Sequence, residues 1–519
     1  MMTPPPTGIV VRFPERPKKL EAWAKEHGAV SLSRAAETLV VFEASRGLEN
    51  IQSIAAKSNT RCTVSLLEPV REFQPLISRR SNTDGKVDTI VIVDPLSSGA
   101  LLAAMAAERG LGLVRVLSKA FPEEFMRIVP TGCSGTLEWL ATLEFDDQSP
   151  EATARAISDL EFAHVAGVAV GCESGVECYD MLTELLEGFP SNGSAQSLTR
   201  RDKYPMGEAV RAAGLRACEQ KLCATWDQAE TFIDGWCVLK PCKSAGTDGV
   251  YIAKNHEEAR RRFNQILGQE NIFGETNDAV LVQEFLRGTE FVVDSVSIEG
   301  VHKCTAIWVY DKRPCNGAQF VYHSMSLFQT PSGEREEKLV AYVHAVLDAL
   351  GVRYGPSHAE VMWQHDGPCL VEVGCRPHGG EGTFVGMIEK VIGKGFDQLS
   401  VMLDAIEKPY RFHRLPKRPP TFQGGAIEVC LIAYEQGTLR GLPGLQSVRH
   451  LASFHAEEIK VAIGDDITKT VDFLSTPGSI MLVHNDADQL HRDVDFIHHI
   501  SKPGNGLYDI SPKLRLRSL

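Results

Sequence analysis

Two glutamates in this chain lie in neighbouring apolar runs. Glu360 sits in His358–Trp363 and Glu372 in Cys369–Val373, with the polar turn Gln364–Gly367 between them. The spacing predicts adjacent antiparallel strands with both carboxylates facing one cavity. A carboxylate in a half-buried strand costs on the order of several kcal/mol unless something neutralises it. Two side by side call for a cation, and hard oxygen ligands on rigid strands suit Mg²⁺, which keeps waters and substrate phosphates as its other ligands. Arg376 follows in a glycine-rich turn, where a fixed guanidinium can hold a phosphate or a carboxylate. The competing reading puts both glutamates on the solvent face of a hairpin, with the arginine paired to one of them.

Cationic groups precede this hairpin in the chain. Lys240 ends the run Trp236–Lys240 and leads into CKSAGTDGV, a small, polar, glycine-rich loop. Such a loop can fold its N–H groups over an anion and move as a lid. A strand-end lysine needs a counter-charge if it is half-buried. Lys203 closes the basic stretch SLTRRDK. The apolar strand Ala279–Phe285 leads through Leu286-Arg287-Gly288 into Thr289–Val296, which carries Glu290 at its start.

These groups need a framework to hold them. At 519 residues the chain should contain several domains, because a single core rarely grows beyond about 250–300 residues. Residues 1–85 read as an extension or a small α/β unit, with strands at Ile9–Phe13 and Thr38–Glu43, a helix at Pro17–His27 and a polar linker at Ser78–Lys86. Residues 86–190 read as a doubly wound α/β domain: the apolar strands Thr89–Val93, Gly112–Leu117 and Val165–Val170 alternate with helices. Two turns punctuate it, DPLSSG (94–99) and GCESGV (171–176), and neither is a GxGxxG dinucleotide motif. Residues 191–410 hold the lysines, glutamates and Arg376. They also hold the amphipathic helix Glu334–Leu350, whose Leu339, Val340, Val343, Val346, Leu347 and Leu350 form one stripe. The Pro/Arg-rich connector Pro409–Pro420 opens a smaller α/β domain over 411–519, with strands at Gly425–Ala433, Glu458–Ala462 and Ser479–His484 and a helix at Ala487–Ile500.

The net charge of −13 argues against a general nucleic-acid binder. No apolar run reaches membrane-spanning length, the N-terminal residues do not read as a secretory signal, and the 13 scattered cysteines read as reduced thiols. A cytoplasmic location is the expectation.

The ordered set of Lys203, Lys240 with its glycine-rich loop, the hinge, Glu290, Glu360, Glu372 and Arg376 resembles the ATP-grasp superfamily of carboxylate–amine ligases. Within it, DPLSSG, GCESGVECYDML, RRDKYPM, KPCKSAGTDGV and WVYDKRP look most like the dipeptide-forming L-amino acid ligases. The resemblance covers about residues 88–500. It implies an ATP-grasp fold between a preceding doubly wound domain and a small C-terminal α/β domain. It implies that Lys203 and Lys240 contact ATP phosphates, that Ser244, Ala245 and Gly246 close over them, and that Gln283, Glu284 and Leu286 meet the adenine through backbone and side-chain hydrogen bonds. Glu290 would take the ribose hydroxyls. Glu360 and Glu372 would hold one or two Mg²⁺ ions, or Mn²⁺ in their place, and Arg376 and Lys240 would act in catalysis. Lys312, Tyr322, His323 and His378 would face the amino-acid substrates, and many relatives are homodimers. One position departs from the pattern: many members carry asparagine two residues after the second metal glutamate, and this chain has Gly374.

The implied reaction is attack of an amino-acid carboxylate on the γ-phosphate of ATP, followed by attack of an amine on the acyl phosphate. A bicarbonate-using, biotin-carboxylase-like enzyme and a non-catalytic nucleotide-binding protein are the alternatives. Against the first, the hinge QEFLRGTEF lacks the basic Pro-Arg-His stretch expected there.

Overall fold

The computed structural model describes residues 81–82, 84–121, 130, 133 and 137–511. Before them it describes the backbone of the strands Gly8–Phe13 (β1), Ser31–Leu32 (β2), Thr38–Glu43 (β3) and Thr63–Leu67 (β4). The chain divides into the units Met1–Gln74 and Pro75–Leu519. In the first, the strands form an antiparallel sheet in the order β2-β3-β1-β4. The expected Pro17–His27 helix lies outside the described residues, as do residues 78–80 and 83 of the expected linker.

The second unit opens with a parallel sheet in the order β7-β6-β5-β8, made of Val87–Val93 (β5), Gly112–Leu117 (β6), Trp139–Glu144 (β7) and Ala163–Val170 (β8). The β5 residues Ile90 to Val93 are fully buried, as the continuous apolar run requires. WLATLE in β7 is partly exposed along its length and lacks the buried run that marks β5. The turns that close β5 and β8 pack together so tightly that a Cβ on Gly99 would come within 2.6 Å of the Gly171 Cα. Only glycine permits that approach at Gly99. Asp94, buried with φ 48°, holds both turns by accepting from Ser118 N, Ser118 Oγ and Ser174 Oγ at 2.6–2.7 Å.

A small antiparallel sheet follows, with Gln220–Cys223 (β9), Cys237–Lys240 (β10), Tyr251–Ala253 (β11) and Val280–Glu284 (β12) in the order β11-β10-β12-β9. The largest sheet begins with Thr289–Ile298 (β13), Val301–Cys315 (β14), Ala318–Leu327 (β15), Gly355–Gln364 (β16) and Gly367–Gly374 (β17). It then takes in Gly425–Cys430 (β18), Gly478–His484 and Phe454–Ile459, giving the order β17-β16-β13-β14-β15-β18 and then those two strands. One continuous sheet therefore draws on residues from both sides of position 410. The third strand of the C-terminal segment lies at Phe454–Ile459 rather than the expected Glu458–Ala462, and the Pro/Arg-rich connector begins as a helix, Pro409–Arg414. Proline is tolerated at a first helical position because its missing N–H would have had no partner there.

The amphipathic helix runs Glu334–Ala349. Its apolar stripe is buried against β13, β14 and β17, which stiffens the sheet behind the glutamate hairpin. No helix among the described residues is long and apolar enough to cross a membrane.

Candidate active site

The β16–β17 hairpin places Glu360 directly opposite Glu372, with a bulge between Glu360 and Val361. Both side chains line one open cleft. The other walls come from Lys240 at the end of β10, the loop after it, the end of β12, Glu290 on β13, Lys312 on β14 and Tyr322 on β15.

The charges in this cleft answer one another. Lys203 Nζ lies 3.1 Å from Glu372 Oε2 and donates to Ser244 O at 2.7 Å, tying the hairpin to the glycine-rich loop. Lys240 is buried at 4 % exposure and reaches the Val371 carbonyl at 3.5 Å. Burial alone would raise the Glu372 pKa, but Lys203 and Lys240 overcome it and hold that carboxyl below the ordinary carboxylate range. Glu360 goes the other way. Burial raises it beyond what Lys312 offsets, and the carboxylates of Glu290 and Glu372 raise it further. Two facing carboxylates thus differ in their hold on a proton, as expected of a site that lacks one further positive charge. Burial likewise lowers the Lys240 pKa, against the pull of Glu372.

Lys312 bridges Glu290 (2.5 Å) and Glu360 (3.5 Å) and lies over the Tyr322 ring at 4.5 Å. It therefore stands between the ribose candidate and the metal candidate, inside the nucleotide cleft. The loop over the cleft is shaped by left-handed residues at Gly246, Thr247 and Gly249, and by Ser244 Oγ donating to Asp248 Oδ2 at 2.7 Å. At the hinge, Gln283 donates to Gln220 at 2.9 Å, and the Glu284 carboxylate accepts from Arg216 and from the Glu219 N–H. Both side chains have protein partners and both line the cleft.

Arg376 is held at the far end of the glutamate hairpin by Glu173, from the GCESGV turn, with Nε to Oε2 at 3.0 Å. A Cβ on Gly374 would lie 2.7 Å from that Glu173 oxygen and 2.9 Å from Arg376 Cζ. The space an asparagine would need is taken by this ion pair. His378 is buried beside it, but its Nδ1 bonds Asp294 Oδ2 at 2.7 Å. The same aspartate accepts from His358 Nδ1 at 2.8 Å and Trp308 Nε1 at 2.8 Å. His358 and His378 lower the Asp294 pKa despite burial, so the carboxylate stays charged. The three residues form a buried cluster whose possible ligand atoms all lie within 4.8 Å of one another, and His358 Nε2 lies 4.0 Å from Glu360 Oε1. The signal for Asp294 was in the sequence, a charge inside the otherwise apolar FVVDSVSI, but it was not singled out.

His323 is a correction. Its neighbour Tyr322 faces the cleft, so strand alternation sends His323 to the other face of β15, where it packs 5.2 Å from the His498 ring. Neither ring nitrogen has a partner, and burial with nearby His498 lowers its pKa to about 4. It cannot reach a substrate in the cleft.

A sequence profile described as the ATP-grasp domain matches residues 233–384. Dapdiamide A synthase of Enterobacter agglomerans is 30% identical over 420 residues, covering 80% of this chain and 96% of that protein. An L-amino acid ligase from Bacillus licheniformis superposes with a TM-score of 0.65 at 18% identity, over 82% of this chain and 99% of that one. The biotin carboxylase domain of a 2-oxoglutarate carboxylase from Hydrogenobacter thermophilus, solved with MgADP and bicarbonate, superposes with a TM-score of 0.54 at 15% identity, over 82% and 90% of the two chains.

Proposed function

The chain belongs to the ATP-grasp carboxylate–amine ligases, and from that premise we propose that it joins two amino acids. It is an ATP-dependent enzyme that forms C–N bonds; the amino-acid specificity is the proposal. The observation that carries it is the convergence of Glu360, Glu372, Lys203 and Lys240 in one cleft. Similarity to dapdiamide A synthase along nearly that protein's whole length supports the amino-acid reading.

ATP lies with its base against the hinge residues Gln283, Glu284 and Leu286, its ribose by Glu290, and its phosphates under Ser244, Ala245 and Gly246. Lys203 and Lys240 neutralise phosphate oxygens. The donor set suits a hard cation, since Glu360 and Glu372 present oxygens side by side where a positive charge is lacking. Mg²⁺ held there would offset the charge of the phosphates as the carboxylate approaches. Gly374 offers no side-chain oxygen, so we assign one firmly held ion; Mn²⁺ fits the same oxygens.

The first substrate's carboxylate oxygen attacks the γ-phosphorus, ADP leaves, and an acyl phosphate forms. The second substrate's amine then attacks the acyl carbon, the C–O bond breaks, and phosphate departs with its electrons while the nitrogen loses a proton. Arg376, fixed by Glu173, balances charge on the transferred group in both steps. Tyr322 and Lys312 border the substrates, and the loop excludes water that would hydrolyse the intermediate.

We retain the division of the chain at 85, 190 and 410. We also assign the protein to the cytoplasm, which the free thiols of the described cysteines support, and expect a homodimer. The bicarbonate-using alternative finds no supporting feature in the cleft. The deciding experiment screens pairs of amino acids for ATP-dependent phosphate release, with mass detection of the product. ADP formation stimulated by bicarbonate and by no amino-acid pair would overturn the reading.

A further inference from the structure

The C-terminal segment sends one turn to the mouth of the cleft. Thr470 N donates to Ala433 O at 2.9 Å, Val471 N and Asp472 N donate to Ser475 Oγ at 2.9 and 3.0 Å, and Ser475 N returns to Asp472 Oδ1 at 2.8 Å. These bonds fix the turn without help from its apolar side chains. Leu474 is 51 % exposed, whereas the Phe473 ring packs inward against Tyr322, edge to face at 5.5 Å.

The Phe473 side chain lies beside two different elements of the site. A Cβ built on Gly246, in the loop over the phosphates, would lie 3.9 Å from Phe473 Cβ, and one built on Gly380 would lie 3.7 Å from Phe473 Cζ. The ring therefore spans the gap between that loop and the glycine turn that follows Arg376. Both glycines have left-handed φ, 63° and 71°, so neither site readily takes a side chain that would fill the gap instead. Lys460 Nζ caps the ring at 4.4 Å and reaches Glu381 Oε2 at 3.2 Å, tying the same turn to the same segment.

We propose that Phe473 is a specificity-determining residue, the wall that closes the substrate chamber beyond the phosphates and limits the amine substrate to small side chains. This rests on the amino-acid ligase reading above. A loop, a strand residue and a glycine turn meet on one aromatic ring, and two of the three present no side chain toward it. The ring is then the adjustable boundary of the chamber, and it also keeps water from the acyl phosphate. Where it is missing, water oxygen attacks the acyl carbon, phosphate leaves, and the net reaction is hydrolysis of ATP to ADP and phosphate.

The test compares wild type, Phe473→Ala, the bulk-conserving Phe473→Leu and the outward-facing control Leu474→Ala. Amine substrates from glycine to tryptophan are offered with a fixed carboxylate donor, and both ADP and amide product are measured. Phe473→Ala should raise kcat/KM for bulky amines relative to glycine by about tenfold or more. It should also release more ADP per amide formed, with Phe473→Leu intermediate, Leu474→Ala like wild type, and the KM for ATP within about twofold throughout. An amine profile and coupling ratio in Phe473→Ala equal to wild type would overturn the proposal, as would a change confined to the KM for ATP. If wild type joins no amino-acid pair, the ligase reading fails. ATP hydrolysis without amine then still judges the wall: no rise in Phe473→Ala overturns it.

Discussion

Glu360 and Glu372 stand opposite each other across adjacent antiparallel strands, yet the structure holds one carboxyl above and the other below the ordinary value. The difference follows from their neighbours. Glu372 has Lys203 and Lys240, while Glu360 shares Lys312 with Glu290. A dication held between the two would favour the charged form of both.

Replacing Glu372 by Gln should therefore cut metal-dependent ADP release by about 100-fold or more, the scale of losing one charge-stabilising group. Circular dichroism should still show the native fold. The check is a Mg²⁺ titration of turnover and of ADP binding. Unchanged Mg²⁺ dependence would remove Glu372 from the metal site.

Gly374→Asn tests the departure from the family pattern. The added side chain would meet Glu173 and Arg376 at under 3 Å from its first carbon. We expect a loss of about 1–3 kcal/mol in urea unfolding from overpacking, together with weakened turnover. Adding Glu173→Ala should restore part of the stability but not the turnover, since Arg376 then loses its anchor. Full stability in the single variant would show that the ion pair yields easily.

Lys312→Met leaves Glu290 and Glu360 without the cation between them. Removing one partner of a buried set costs about 3–5 kcal/mol, measurable by denaturant unfolding at pH 7. The loss should shrink at pH 5, because the uncompensated carboxyls then take up protons. A loss independent of pH would point to packing rather than charge.

His323 supplies a prediction about pH and stability. Its folded pKa of about 4 lies below the ordinary histidine value, because the imidazole is buried beside His498. The native state then binds fewer protons than the unfolded chain between those two values. Stability is complete above the unfolded value and falls as pH drops toward 4, by up to about 1.4 kcal/mol per pH unit for each such group. His344, lowered to about 3 by burial and by His302, adds to the same slope. His323→Leu should flatten the dependence of unfolding free energy on pH over this window and leave kcat unchanged. A fall in kcat at pH 7 would return His323 to the list of substrate contacts.

Several pieces of the site were legible as residues in runs. Glu360 and Glu372 were visible because a charge in an apolar strand is conspicuous, and Lys240 because it ends a strand before a glycine-rich loop. The amphipathic helix Glu334–Ala349 declared its buried face by spacing alone. Strand alternation along β15 likewise separates His323 from Tyr322.

Other features were decided only when distant segments met. Nothing near Arg376 names Glu173 as its anchor, and nothing near Asp294 predicts two histidines, one on β16 and one in the turn after β17. The sheet's growth past position 410 depends on hydrogen bonds between β15 and β18, which local composition does not encode. Local sequence sets which groups are costly to bury and which turns are permitted. Which charge answers which, and which ring fills which gap, is set by long-range packing, because each such contact joins chain segments whose own sequences are indifferent to one another.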